Sequence, residues 1–263
     1  MKVTLITACL NSVTTIADTI ESVLEQSLQP FQYIIVDGGS VDGTLAVVES
    51  YRMRFEGRMQ IVSEADEGIY DAYNKGVALS NGEVVGFLNA DDRFASSSVL
   101  ERMGVLFEDS TCMLGYADMI VIDRYGERIV REWRSRSFTP QRLRWGWMPP
   151  PPTLYVRREL FDRIGGFDVS YPVSADYDLI VRAFLEVGEK GARYLPECTI
   201  LMRSGGVSTR MENIPLMMRE NWRTIRAHRI GGVGTLIVKK LRKIPQFLAV
   251  RIKKSLQGRD HMN

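Results

Sequence analysis

Asn89-Ala90-Asp91-Asp92 follows directly on the apolar run Val84-Val85-Gly86-Phe87-Leu88. Two adjacent carboxylates after a buried strand are costly unless they are solvated, paired or bound to a cation. Hard divalent cations prefer oxygen ligands, and Mg2+ or Mn2+ held by one or two protein carboxylates fills its shell with phosphate and water. The plainer reading is a solvated loop, with an Asp capping a helix before Ser96-Ser97-Ser98. Asp37-Gly38-Gly39-Ser40 ends a second apolar run, Tyr33-Ile34-Ile35-Val36. Its glycines permit a tight turn or the close approach of a ligand. It matches neither the dinucleotide fingerprint nor the P-loop. Between Ser63 and Gly76, Asp66 can accept from a base or ribose and Lys75 can face a phosphate; the alternative is a loop and a capped helix. Asp176 opens a helical pattern, either as its cap or as a general base facing the other carboxylates.

The elements that must position these groups alternate. Strand-like runs at 3–7, 33–36, 59–62 and 84–88 are separated by helical patterns at 16–24, from Asp42 or Thr44 to Tyr51, and at 69–79. This order predicts an α/β fold, a mainly parallel sheet covered by helices on both faces. Ligands of such sheets sit beyond the carboxyl ends of the strands. There stand Asn11, Asp37, Glu64 with Asp66, and Asp91 with Asp92. Beyond them, strands are expected at 113–122 and 127–132, joined by a turn at 124–126, and helices at 158–164 and 176–187. Pro149–Pro152 is expected to be a stiff polyproline segment, neither helix nor central strand.

The chain has 263 residues, 45% hydrophobic and 25% charged, an ordinary globular composition. Its three cysteines lack metal-ligand spacing and read as reduced core residues, and its two histidines, His228 and His261, argue against a zinc site or a Ser-His-Asp triad. Neither a secretory leader nor a membrane-spanning run is expected. Residues 223–263 carry 11 Lys/Arg against one acid, whereas the rest of the chain is net acidic. In that tail Ile237, Leu241, Ile244, Leu248 and Ile252 recur at helical spacing among Lys and Arg, and Pro245 should split the pattern into two segments. The pattern suits an anionic membrane surface, with a core-docked helix as the alternative. No nucleic-acid motif accompanies the charge.

Taken together, Thr7–Asn11, Val36–Thr44, Ser63–Gly76, Leu88–Asp92, Gly165–Asp168 and Ala175–Asp178 resemble the family 2 glycosyltransferases of GT-A fold, over roughly residues 1–210. The Gly68–Gly76 stretch looks most like the colanic acid and surface-polysaccharide branch. The resemblance implies a GT-A domain at 1–210, with a nucleotide-binding half (1–110) and a smaller acceptor half (111–210); the tail's charge and spacing add a basic amphipathic helical region at 211–263. The resemblance implies an inverting transfer from a nucleotide-sugar donor to a hydroxyl of a saccharide or lipid-linked saccharide in the cytoplasm, and the basic tail adds the expectation of a peripheral position on the inner face of the cytoplasmic membrane. Thr7, Ala8, Asn11, Asp37 and Asp66 would line the nucleotide pocket, with Asn74 and Lys75 near it. Asp91 would lie against ribose and diphosphate, Asp92 would ligate Mn2+ or Mg2+, and Asp176 would deprotonate the acceptor. Arg203, in a loop that closes over the donor, would touch the diphosphate. Asn89 stands where many relatives carry Asp, so the D-x-D triplet is incomplete. The alternatives are a nucleotidyltransferase and a non-catalytic sugar-nucleotide-binding protein of the same fold.

Overall fold

The computed structural model describes residues 1–126, 128–206, 211–242 and 246. Strands β1 (Val3–Cys9), β2 (Gln32–Asp37), β3 (Met59–Ser63) and β4 (Val84–Phe87) lie parallel in the order β3-β2-β1-β4. Helices α1 (Ile16–Leu24), α2 (Thr44–Tyr51) and α3 (Ile69–Leu79) are the crossovers. Every residue of β1 and β2 is buried, as expected of strands covered on both faces. Alternate residues feed two cores: Ile6, Ala8, Ile34 and Val36 one, Leu5, Cys9, Tyr33 and Ile35 the other. Helix α3 presses so closely on β1 that a Cβ at Gly76 would stand 2.5 Å from Ile6 Cγ2. Glycine is required there by space, not by backbone angle.

Beyond β4 the sheet departs from the parallel expectation. It continues through β8 (Tyr155–Arg157), β6 (Leu114–Ile122), β9 (Ala192–Arg203) and β5 (Arg93–Phe94), with β7 (Ile129–Trp133) also on β6. The β4–β8, β8–β6, β6–β7 and β9–β5 pairings are antiparallel and β6–β9 is parallel, so the sheet as a whole is mixed. The two halves thus share one sheet. Helix α4 (Val99–Leu106) follows β5, and α5 (Pro140–Arg144) and α6 (Arg158–Ile164) flank β8. Helix α7 (Ala175–Gly191) crosses a break at Gly188 (φ 63°). Pro151–Thr153 forms a 3-10 turn, correcting the extended expectation for the end of the proline run. Proline lacks the N–H that a first helical turn leaves unbonded anyway, and Thr153 N–H closes the turn on Pro150 O at 3.0 Å.

The C-terminal region contributes α8 (Ile214–Ala227) and α9 (Val233–Leu241). Both dock on the body: Ile225 is buried in the core shared with α7, and Leu236 packs against it. Pro245, Ile244, Leu248 and Ile252, on which the expected split and its second segment depend, lie outside the described residues. Among the described residues no helix is long and apolar enough to cross a membrane. Cys9, Cys112 and Cys198 are unpaired. Burial pushes the Cys9 thiol up to about 12, helped by the nearby Asp37 charge, which makes it a poor nucleophile.

Candidate functional site

The carboxyl end of β2 is built around Asp37. Its side chain is fully buried, and the Ser63 hydroxyl donates to Oδ2 at 2.6 Å. The Ser40 N–H donates to the same oxygen at 3.1 Å, and the Ser40 hydroxyl donates to Oδ1. Burial alone would raise this carboxyl, but the hydrogen bonds from Ser40 and Ser63 hold it below the usual carboxylate range. Asn11, in left-handed conformation (φ 49°), ties the β1 loop to the same turn: its N–H donates to Ser40 Oγ at 2.8 Å and its Oδ1 accepts from Val41 N–H at 3.0 Å. A Cβ at Gly38 would overlap the Asp66 carboxylate, so the Gly-Gly turn lets Asp66 lie against its backbone. Asp66 Oδ1 accepts from Gly68 N–H at 2.9 Å. The structure thus gathers Asn11, Asp37 and Asp66 at one edge.

Four other expected residues already have partners within the chain. Thr7 is fully buried with its hydroxyl 3.1 Å from Tyr33 Oη, and Ala8 is buried in the core, because helices cover both faces of β1. Asn74 clamps the second half: its Nδ2 donates to Phe167 O at 2.8 Å and its Oδ1 accepts from Phe167 N–H at 2.8 Å. Lys75 pairs with Glu64 at 3.0 Å and Asp71 at 3.2 Å and donates to Ala65 O.

The carboxylate pair after β4 has unequal exposure. Asp92 is 1% exposed, with Oδ2 accepting from Asn89 Nδ2 at 2.6 Å and Oδ1 from Arg203 N–H at 3.1 Å. Asp91 is half-buried. Burial, then the neighbouring Asp91 charge, push the Asp92 carboxyl well up, and burial also raises Asp91. Arg203 ends β9 rather than lying in a loop, and its guanidinium pairs with Asp18 beside Asp91 and Asp92. Of the two carboxylates, Asp92 is the enclosed one and Asp91 the partly exposed one. Among the described residues no group of three His, Cys, Asp or Glu side chains gathers for a metal. The donor set nevertheless fits a cation that takes most ligands from a phosphate: an accessible carboxylate, backed by a second buried charge that lacks a full counter-charge.

Tyr73 joins this pair to Asp176. Its buried hydroxyl donates to Asn89 Oδ1 at 2.5 Å. Burial pushes its phenol up, and the charges of Asp92, Asp91 and Asp176 all add to the shift. Asp176, at the start of α7, is half-buried, with Oδ1 accepting from Tyr177 N–H at 2.7 Å. Burial raises its carboxyl and so does the Glu220 charge, while Lys239, Tyr177 N–H and Tyr70 pull it down. The Lys239 ammonium rests 3.2 Å from the Tyr177 ring centroid. Sequence reading missed Tyr70, Tyr73, Glu220 and Lys239. The tyrosines sit three apart on α3, inside the singled-out motif. Nothing in the sequence links Lys239 to Asp176.

His228 is a strut: Nε2 lies 3.1 Å from Asp178 Oδ1, and Arg182 Nε donates to Asp178 Oδ2 at 2.7 Å, fastening α8 to α7. A cavity of about 520 Å3 opens beside this strut, and none of its lining residues is one of those expected from the sequence.

Residues 4–165 match the Glycosyl transferase family 2 model. The chain is 30% identical over 178 residues to a PGL/p-HBAD biosynthesis glycosyltransferase of Mycobacterium bovis, covering 66% of this chain and 66% of that protein. It therefore spans just under two thirds of the length of this curated relative. Among solved structures it resembles Staphylococcus aureus TarS 1–349 in complex with UDP-GlcNAc (TM-score 0.70, 18% identity, 88% of this chain and 66% of that one). It also resembles the mannosyltransferase PcManGT of Pyrobaculum calidifontis in complex with GDP-Man and Mn2+ (TM-score 0.63, 18% identity, 97% and 75%).

Proposed function

Because the chain belongs to glycosyl transferase family 2, we propose that it moves a sugar from a nucleotide-sugar donor to a hydroxyl of a saccharide or lipid-linked saccharide, with inversion, in the synthesis of a bacterial surface glycoconjugate. The observation that carries this reading is Tyr73, whose hydroxyl donates to Asn89, itself bonded to Asp92, on the same helix as Tyr70, which packs against the segment leading to Asp176.

The nucleoside lies against the Asn11–Asp37–Asp66 edge, and the diphosphate lies toward Asp91 and Arg203. Asp92 holds Arg203 in place through its backbone N–H. Asp176 accepts the proton of the acceptor hydroxyl as that oxygen bonds to the anomeric carbon, and the bond from that carbon to the diphosphate oxygen breaks. Burial raises its pKa, which makes it a stronger base than an exposed carboxylate. Asp91 would hold Mn2+ or Mg2+, which when bound neutralises charge on the departing diphosphate. A lipid-linked acceptor would be met in the cytoplasm, at the inner face of the cytoplasmic membrane.

The reading is tested by thermal shift with UDP, UDP-GlcNAc and GDP-Man, with and without Mn2+. A ligand that binds the folded state at a hundred times its Kd stabilises by about 2.7 kcal/mol. One nucleotide series should raise the midpoint, more with Mn2+ than without. No shift with any nucleotide or nucleotide sugar, in either condition, would reject a donor site.

A further inference from the structure

The two sides of α9 meet different surroundings. On one side, Thr235 is buried and donates to Arg144 O at 2.8 Å. On the same side Lys239 passes over Gly146 to the Tyr177 ring and donates to Met148 Sδ at 2.9 Å. On the other side Val233, Ile237 and Leu241 fall one helical turn apart and are 60%, 54% and 52% exposed. Arg242, at the end of α9 and on its inward side, donates from Nε to Trp145 O at 2.9 Å, so the row ends beside the segment that follows α5. Single exposed apolar residues need no explanation, but a row of them along one helix face marks a contact surface.

Charge supplies the second, independent observation. Burial lowers the Arg242 pKa, and the guanidiniums of Arg136 and Arg142 lower it further, so three like charges share one neighbourhood. Among the described residues no ion pair joins any of the three to an acid; Arg142 donates to Ser137 O. Exposed Lys240 and Arg144 extend the cationic surface. An apolar row with Lys240 beside it and an arginine cluster at its end complements an anionic bilayer: side chains enter the headgroup boundary while cations meet lipid phosphates.

We propose that the outward face of α9, with Ile237 and Leu241 at its centre, Lys240 beside them and the Arg136, Arg142 and Arg242 cluster at its end, docks on anionic lipid headgroups. This rests on the reading above and deepens it. The inward side of the same helix reaches Tyr177, the neighbour of Asp176, so docking sets the base close to an acceptor held in the membrane.

The test is sedimentation of the full chain with phosphatidylcholine vesicles, with and without phosphatidylglycerol. It compares wild type with Arg136→Glu/Lys240→Glu and with Ile237→Ser/Leu241→Ser. Wild type should sediment with the anionic vesicles and come off in high salt. Each double variant should bind at least about tenfold more weakly, with its melting midpoint and its Mn2+-dependent nucleotide response unchanged. Undiminished binding by both variants, or equal binding of wild type to neutral vesicles, would overturn the proposal. Nucleotide response is read on the same samples, so loss of the donor reading is seen separately from loss of docking.

Discussion

Asp91 and Asp92 are like charges on adjacent residues, one of them fully enclosed. A carboxyl whose folded pKa is raised gives stability that is fully present below its unfolded value, near 3.9, and lost as pH rises through the folded pKa. The pair therefore costs stability at neutral pH, a cost that a bound cation relieves. Asp91→Asn should raise the metal-free melting midpoint, by about 2–4 °C per kcal/mol for a chain of this size, and should abolish the extra stabilisation by nucleotide that Mn2+ brings. A lowered midpoint would show that the pair is already compensated. Lys239 acts in the opposite sense on Asp176, helping to hold it ionised. Lys239→Met should raise the Asp176 pKa and move the acid limb of the pH–rate profile to higher pH, leaving nucleotide binding intact; an unmoved limb would separate Lys239 from the base.

At the scale of elements, α3 is the piece on which the site hangs. One side presses on β1 through Gly76, and Asn74 clamps Phe167 while Tyr73 reaches Asn89. Asn74→Ala leaves the Phe167 N–H and C=O without their partner and should cost about 2 kcal/mol in denaturant unfolding, with nucleotide affinity unchanged. A selective loss of nucleotide affinity would return Asn74 to the pocket. The order from β1 through β4 was legible because continuous apolar runs alternate with helical spacing, and the polar strand ends followed from that order. β5 and β8 were not legible: two and three residues are too few to carry a period. β9, though long, is mostly half-buried and interrupted by Pro196, which blurs its alternation. The partners of Thr7 and Asn74, Tyr33 and Phe167, were not legible either. A motif marks the neighbourhood of a site, but which atoms face the ligand depends on contacts that span the chain.

At the scale of the whole molecule, the sheet does what no local element does. β8, β6 and β9 extend the sheet beyond β4, so Arg203 arrives at Asp92 from the far end of the second half, and α7 arrives with Asp176. The basic tail was visible as charge and spacing. Its docking on α7, and the approach of Lys239 to Tyr177, needed the assembled fold. The central claim is that carboxylates from both halves serve one donor and one acceptor. It is tested most directly by measuring, on the same preparations, Mn2+-dependent nucleotide binding and release of nucleoside diphosphate from the donor that binds. Asp91→Asn should lose Mn2+-dependent binding, whereas Asp176→Asn should bind as wild type does and lose turnover by about 100-fold or more. Near-normal turnover by Asp176→Asn, or Mn2+-dependent binding that survives Asp91→Asn, would contradict it.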